Sequence, residues 1–229
     1  MEFEDMRVVV TGAGRDTGLL LAEAFAARGA RVYLSARDQG VASRAADVIN
    51  QRGGRAEAFR CDLADRRSVR EFGDAVNAAT DRIDVLVNNA AQYREGEISD
   101  DEVEQIIAGG ATGTVLLTQH LLPLLRRSER PDIVNMISGC GEPGNHRSAA
   151  HPAFYAAKHA QAGFAGILSH RLRPEGIRVI SLFPPDFEQE GPRTPGSALT
   201  ARSVVDCVMF AVGQPRDCFI REFRFEQVR

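Results

Sequence analysis

The chain has 229 residues, 44% hydrophobic and 26% charged, with a formal net charge of −3. That supplies apolar material for one full core and no basic excess of the kind that marks a nucleic-acid partner. Cys61, Cys140, Cys207 and Cys218 lack C-x-x-C or metal-ligand spacing, so they read as ordinary thiols of a reducing compartment, and no metal site is expected. The start, MEFEDMR, is acidic and runs straight into an apolar stretch, so no secretion signal is expected. No apolar run is long enough to span a bilayer, and a soluble, cytoplasmic protein without membrane partners is expected.

The pattern begins with Val8, Val9 and Val10, a short buried strand that runs through Thr11 into Gly12, Gly14 and Gly18. A helix follows, with Leu21, Ala24 and Phe25 on one face, and stops at Gly29. A strand turning into a helix through glycines makes a phosphate site. Residues without Cβ admit the pyrophosphate, and the free N–H groups of the helix start point at it.

Next come a strand over 31–36 (RVYLSA), a helix over 38–52 ending at Gly53-Gly54, and a strand over 57–60. Asp65 caps a helix carrying Val69, Phe72 and Val76, and 83–87 (IDVLV) is a fourth strand ending in Asn88-Asn89-Ala90-Ala91. Two separate helices are predicted over 99–107 and 112–127, then a strand within 131–137, and a Gly/Pro/Ser-rich loop over 139–152. A small-residue helix over 153–173, a strand over 177–183, a long loop over 184–197, a helix over 201–212 and a last strand over 218–225 complete the chain. Regular strand–helix alternation predicts an α/β fold. We expect a single doubly wound Rossmann-type domain over 1–229, its sheet mostly parallel and covered by helices on both faces.

With Thr11-Gly12, Asn88-Asn89-Ala90, Ile133-Val134-Asn135 and Lys158-His159-Ala160 in this order, the chain resembles the short-chain dehydrogenase/reductase family over almost its whole length. The resemblance implies an NAD or NADP cofactor, hydride transfer at a carbonyl or alcohol carbon of a small molecule, and a Ser, Tyr, Lys and helix Asn as catalytic groups. It places cofactor contacts at Gly12, Gly14, Arg15, Asp16, Thr17, Gly18, Arg37, Asp62, Leu63, Asn88, Ala90, Lys158 and Pro184, and a substrate-covering loop at 184–200. Arg15 and Arg37 stand where a 2′-phosphate would be gripped, which favours NADP over NAD, with Asp38 as the dissenting neighbour. Ser138 and Lys158 fall on the family's serine and lysine. The lone lysine of a chain with 28 basic residues occupies that slot, as though a guanidinium would not serve there.

Several positions depart from the family pattern. Asp16 fills a glycine slot of the turn, where its charge would repel a pyrophosphate unless it points away or pairs with Arg15; Pro185 replaces the glycine of a Pro-Gly pair. Phe154 stands four residues before Lys158 where the tyrosine belongs, and Gly110 stands where the asparagine belongs. Tyr155 is one place late, about 100° around the helix, and reaches the pocket only if the helix start is shifted or bulged. Tyr155, Tyr93, His146 and His151 are therefore the candidate replacement proton donors, and Cys140 is a candidate lining residue. The leading expectation is an NADP(H)-dependent reductase or dehydrogenase with an altered proton donor. Two alternatives remain: a nucleotide-binding scaffold or sensor without turnover, and an isomerase- or dehydratase-type catalyst that keeps the nucleotide as structure. By resemblance, the helices 112–127 and 153–173 would pair copies into a homodimer or homotetramer.

Overall fold

Alternation along the strands decides the architecture. In the computed structural model, which describes residues 3–227, Val8 and Val10 pack against one layer of helices and Val9 against the other, all three without exposed surface. They belong to β1 (Arg7–Val10), an interior strand of a seven-stranded, wholly parallel sheet. The order is β3 (Arg55–Arg60), β2 (Arg31–Ala36), β1, β4 (Val85–Asn88), β5 (Asp132–Met136), β6 (Arg178–Phe183), β7 (Glu222–Arg224). Met1, Glu2, Val228 and Arg229, part of the predicted domain, lie outside the described residues.

Helices α1 (Asp16–Ala27), α2 (Gln39–Gln51) and α7 (Ala201–Gly213) cover one face through Leu21, Phe25, Ile49, Val204 and Val208. The other face is covered by α3 (Arg66–Ala79), α5 (Thr114–Leu125) and α6 (Pro152–Leu172), through Phe72, Val76, Leu117, Leu121 and Leu172. The predicted Asp65 cap holds, with its Oδ1 accepting from the Arg67 N–H at 2.9 Å; Asp38, read as the first residue of its helix, is a cap as well, its Oδ1 accepting from the Val41 N–H at 2.8 Å. No helix among the described residues is long and apolar enough to cross a membrane.

Two departures from the sequence reading have physical causes. The last strand covers only 222–224, because Arg178 draws the approach into its own hydrogen bonds, donating to the carbonyls of Gln214, Pro215 and Cys218. The same guanidinium pairs bidentately with the fully buried Asp132 at 2.8 and 2.7 Å. The second departure concerns the helices expected over 99–107 and 112–127, which are one continuous rod. A six-residue π-helical stretch, Ala108–Gly113, joins α4 (Asp100–Ile107) to α5. Its glycines allow close approach: a Cβ at Gly113 would lie 2.0 Å from the Leu63 carbonyl oxygen, and one at Gly110 would lie 2.8 Å from Ala157 Cβ.

Candidate active site

A cleft of about 970 Å³ opens at the carboxyl ends of the strands, where the strand order reverses between β1 and β4. This is the crevice in which doubly wound sheets bind ligands. At one end Thr11 ties β1 to β4. Its hydroxyl donates to the Val87 carbonyl at 3.2 Å and accepts from the N–H groups of Asn89 and Ala90 at 3.0 and 3.1 Å. Asn89 Nδ2 returns the contact, donating to the carbonyls of Thr11 and Gly12 at 3.0 and 3.3 Å. The turn thus held is one that side chains would spoil. Gly12 has a φ of +64°, a Cβ at Gly14 would lie 2.4 Å from Val41 Cγ1, and one at Gly18 would lie 2.2 Å from the Gly12 carbonyl oxygen.

These are the features a pyrophosphate needs: a backbone stripped of side chains, and a helix start on α1 that no side chain caps. Asp16 takes a left-handed φ of +53°, which aspartate tolerates, and its carboxylate lies 3.4 Å from Arg15 Nε. The pair answers the charge conflict in the sequence. Further along, the cleft is lined by Arg37, Asp38, Asp62 and Leu63; Arg37 Nη1 donates to Gln92 at 3.3 Å, and Asp38 is engaged as the α2 cap.

The opposite end is formed by Met136, Ser138, Phe154, Lys158 and Pro184, with Phe187 and Gln189 arriving from the long loop. Thr17 Oγ1 donates to Gln189 Oε1 at 3.1 Å, joining that loop to the glycine turn. Ser138 follows β5 with a φ of +93°, a backbone state serine rarely adopts, and its Oγ accepts from the Cys140 N–H. Lys158 is 3% exposed; its Nζ donates to the Met136 carbonyl at 2.8 Å and to Gln161 Oε1 at 2.9 Å, and lies 5.4 Å from the Phe154 ring centre. Burial draws its pKa down to about 7 against a weaker opposing pull from Cys140.

Most residues singled out in the sequence therefore meet in one cleft. Gly12, Gly14, Arg15, Asp16, Thr17, Gly18, Arg37, Asp62, Leu63, Ala90, Ser138, Lys158 and Pro184 all line it, as does Tyr93. Asn88 does not; it is buried behind the wall, where its Nδ2 donates to Thr118 Oγ1 and Asn135 Oδ1. The Tyr155 expectation also needs correction. Helix α6 begins regularly on its His151 cap, without the shift or bulge required, and the Tyr155 hydroxyl turns to Ser148. It accepts from the Ser148 N–H at 3.1 Å and donates to the Ser148 carbonyl at 3.0 Å, away from the cleft lining. His146, His151 and Cys140 are absent from the lining too, and His151 Nδ1 accepts from the Ala153 N–H.

Gln161 lies outside the sequence reading, and Asn89 stands in it only as part of a motif, without its hold on the glycine turn. Gln161 could have been found as a polar residue three places after the lysine on a helix face that is otherwise apolar. Nothing local announces the Thr17–Gln189 contact, whose partners are 172 positions apart.

The family model for short chain dehydrogenases matches residues 6–192, which include both ends of the cleft. The chain belongs to this family. It is 28% identical over 229 residues to an uncharacterised oxidoreductase of Staphylococcus epidermidis, covering 96% of both chains. Another relative, an uncharacterised oxidoreductase of Bacillus subtilis, is 32% identical over 189 residues, 81% of this chain and 68% of its own length. Among solved structures, a metagenomic short-chain oxidoreductase in complex with NADP superposes with a TM-score of 0.85 at 28% identity over the whole of both chains. A 3-oxoacyl-[acyl-carrier protein] reductase from Brucella melitensis with bound NAD gives 0.79 at 26% identity, covering 90% of this chain and 84% of that one. This chain thus has the fold of the short-chain oxidoreductases, and at one end of its cleft it carries Ser138, Phe154 and Lys158.

Proposed function

We infer that the protein is an NADP(H)-dependent reductase of small aldehydes or ketones, running in reverse as an alcohol dehydrogenase. One observation carries this: a single cleft joins a side-chain-free phosphate seat, flanked by Arg15 and Arg37, to a wall bearing Ser138 and Lys158. The nucleotide, when bound, supplies a hydride at its nicotinamide ring. The turn at Gly12–Gly18 and the α1 start would hold its pyrophosphate, Asp62 and Leu63 would flank its adenine, and the two arginines would favour a 2′-phosphate. The NADP-bound metagenomic relative supports that preference, and the NAD-bound Brucella reductase shows that the fold also serves the other form.

Ser138 would hold the substrate oxygen by its hydroxyl, oriented by the Cys140 N–H. Met136 and Gln161 take two of the three Lys158 protons, which leaves one for a further partner. The loop at 184–200 would close over the substrate. Following NADPH absorbance over a panel of aldehydes and ketones tests the reading, with NADPH and NADH compared by calorimetry. Turnover with preferential NADPH binding supports it. A silent wild type that becomes active as Phe154→Tyr rejects the altered-donor reductase.

The missing tyrosine and asparagine motivate a second reading, a nucleotide-binding protein without turnover; tight NADPH binding with no consumption and no product mass change would favour it. We also propose a homo-oligomer formed through α5 and α6. On α6, Ile167 is 59% exposed and Gly163 and Gly166 have open space above them. Light scattering that gives a monomer at working concentration would remove this proposal.

A further inference from the structure

A carbonyl reduction needs a proton at the oxygen, and the usual sources are missing. Phe154 has no proton to give, and the Tyr155 hydroxyl is bonded in both directions to Ser148, outside the cleft. Tyr93 does line the cleft, but its hydroxyl donates to Glu95 Oε1 at 2.6 Å, and desolvation with that bond pushes it up to about 12. Both loop histidines lie outside the lining.

Lys158 is differently placed. Its ammonium carries three protons, of which the Met136 carbonyl and Gln161 Oε1 take two; the third has no acceptor among the described residues, on a side chain that, like Ser138, lines the cleft. The orientation of Gln161 is fixed by a chain of bonds. Thr114 Oγ1 donates to the Gly110 carbonyl at 3.2 Å, so toward Gln161 it can only accept. The Gln161 NH₂ group must therefore face Thr114 at 3.2 Å, and the amide oxygen must face the lysine. The glycine at the asparagine slot, the π-helical turn and the glutamine thus form one support for one ammonium.

We propose that Lys158 itself delivers the proton to the substrate oxygen, and that Gln161 is the residue that positions it to do so. This rests on the reductase reading above. As the carbonyl carbon accepts hydride from the reduced nicotinamide, its oxygen takes the third Nζ proton. An N–H bond breaks with its electron pair kept by nitrogen, and an O–H bond forms. Carbonyl compound and NADPH become alcohol and NADP⁺; the neutral amine regains its proton from solvent as the product leaves.

The surroundings suit an acid that can become neutral. Toward Lys158, β5 presents the Met136 carbonyl, the turn after it the Cys140 thiol, and the α4–α5 rod the neutral Thr114 and Gly110 by way of Gln161. On α6 itself the neighbours are Phe154 and Gln161, and His159 turns to the Tyr155 carbonyl. Glu95 and, from the covering loop, Asp186 share the cleft, but among the described residues Lys158 forms no ion pair. Burial without a counter-charge keeps the ammonium acidic, with a pKa near that of the medium.

The sequence contains a single lysine, so protein labelled with [ε-¹³C]lysine gives one ε-carbon resonance, and its titration reads this group directly, with or without turnover. The expected midpoint in wild type is about 7. Gln161→Glu, which sets a carboxylate against the ammonium, should move that midpoint up by about one unit or more. Reduction needs the charged form, so kcat at saturating NADPH should fall as pH rises through the same midpoint, and this limb should move with the resonance in Gln161→Glu. Lys158→Met should lose at least about 10²-fold in kcat at saturating NADPH. A resonance midpoint near the ordinary lysine value overturns the inference. So does a kinetic limb that stays in place while the resonance moves, or a Lys158→Met protein with wild-type kcat. These outcomes leave the reductase reading standing. Absence of turnover on every carbonyl overturns that reading, and the proton assignment falls with it.

Discussion

The two ends of the cleft are built on different footings. At the β1–α1 end the work falls to backbone: Gly12, Gly14 and Gly18 are held where a Cβ has no room, and Thr11 and Asn89 lace the turn to β4. At the β5–α6 end it falls to side chains, Ser138, Phe154 and Lys158 among them. A backbone-made site tolerates few residue types at its key positions. A side-chain-made site can be rebuilt by supplying the same function from a neighbour, as the Lys158–Gln161–Thr114 chain does in the reading above.

The contrast can be broken most sharply at Gly18. Gly18→Val puts carbon 2.2 Å from the Gly12 carbonyl oxygen and 2.6 Å from Asn89 Nδ2, which forces the turn open. An overpacking cost of about 1–3 kcal/mol at the seat translates to a loss of about 10- to 100-fold in nucleotide affinity. Calorimetry reads this, alongside circular dichroism that remains that of the folded protein; full affinity would show that the turn is not the seat. Phe154→Tyr tests the other end, where it adds a phenol to a ring that already lines the cleft beside Lys158. In an enzyme that already turns over, kcat should rise by up to about 10²-fold in the same NADPH assay, because a second acid is placed there.

Arg37→Ala separates the two nucleotides. Losing a charge-assisted contact to the 2′-phosphate should weaken NADPH by about tenfold and leave NADH unchanged in parallel titrations. Gly110→Asn, which supplies the asparagine that the resemblance implies there, should fail to help. Its Cβ meets Ala157 Cβ at 2.8 Å, so urea melts should show a loss of about 1–3 kcal/mol with no gain in rate.

The last effect is a slope. Burial lowers the Lys158 pKa from 10.5 to about 7 on folding, so between those values the unfolded chain binds more protons than the folded one. Stability attributable to this group therefore rises as pH climbs from about 7 toward 10.5, the reverse of a stabilising ion pair of lysine. Melting temperatures across pH 7–9 should show this rise in wild type and its absence in Lys158→Met; equal slopes would place the charge in water rather than in the core.

The same contrast explains what could be read from the chain before its structure. The glycine turn, the Asp65 cap and the apolar strand at Val8–Val10 follow local rules, and each stands where those rules place it. Helical geometry alone leaves Tyr155 a candidate, but its partner, Ser148, belongs to a loop whose path no periodicity encodes. The break expected between residues 107 and 112 failed for a related reason. Glycines signal a stop locally, but here they serve close packing against Leu63 and Ala157, which only the tertiary arrangement brings near. Arg178 shortened the last strand through contacts spanning 34 to 40 positions, equally invisible to a window of neighbours.

The backbone of Ser138 has one further consequence. A residue with a side chain is kept there at a φ of +93°, where glycine would relax the chain, and such strain costs of order 1–3 kcal/mol. Evolutionary drift toward a sturdier molecule would therefore be expected to remove this hydroxyl early, and engineers seeking heat resistance would be drawn to the same exchange. A Ser138→Gly protein that melts later yet handles its substrate worse would mark the spot where durability and chemistry pull in opposite directions.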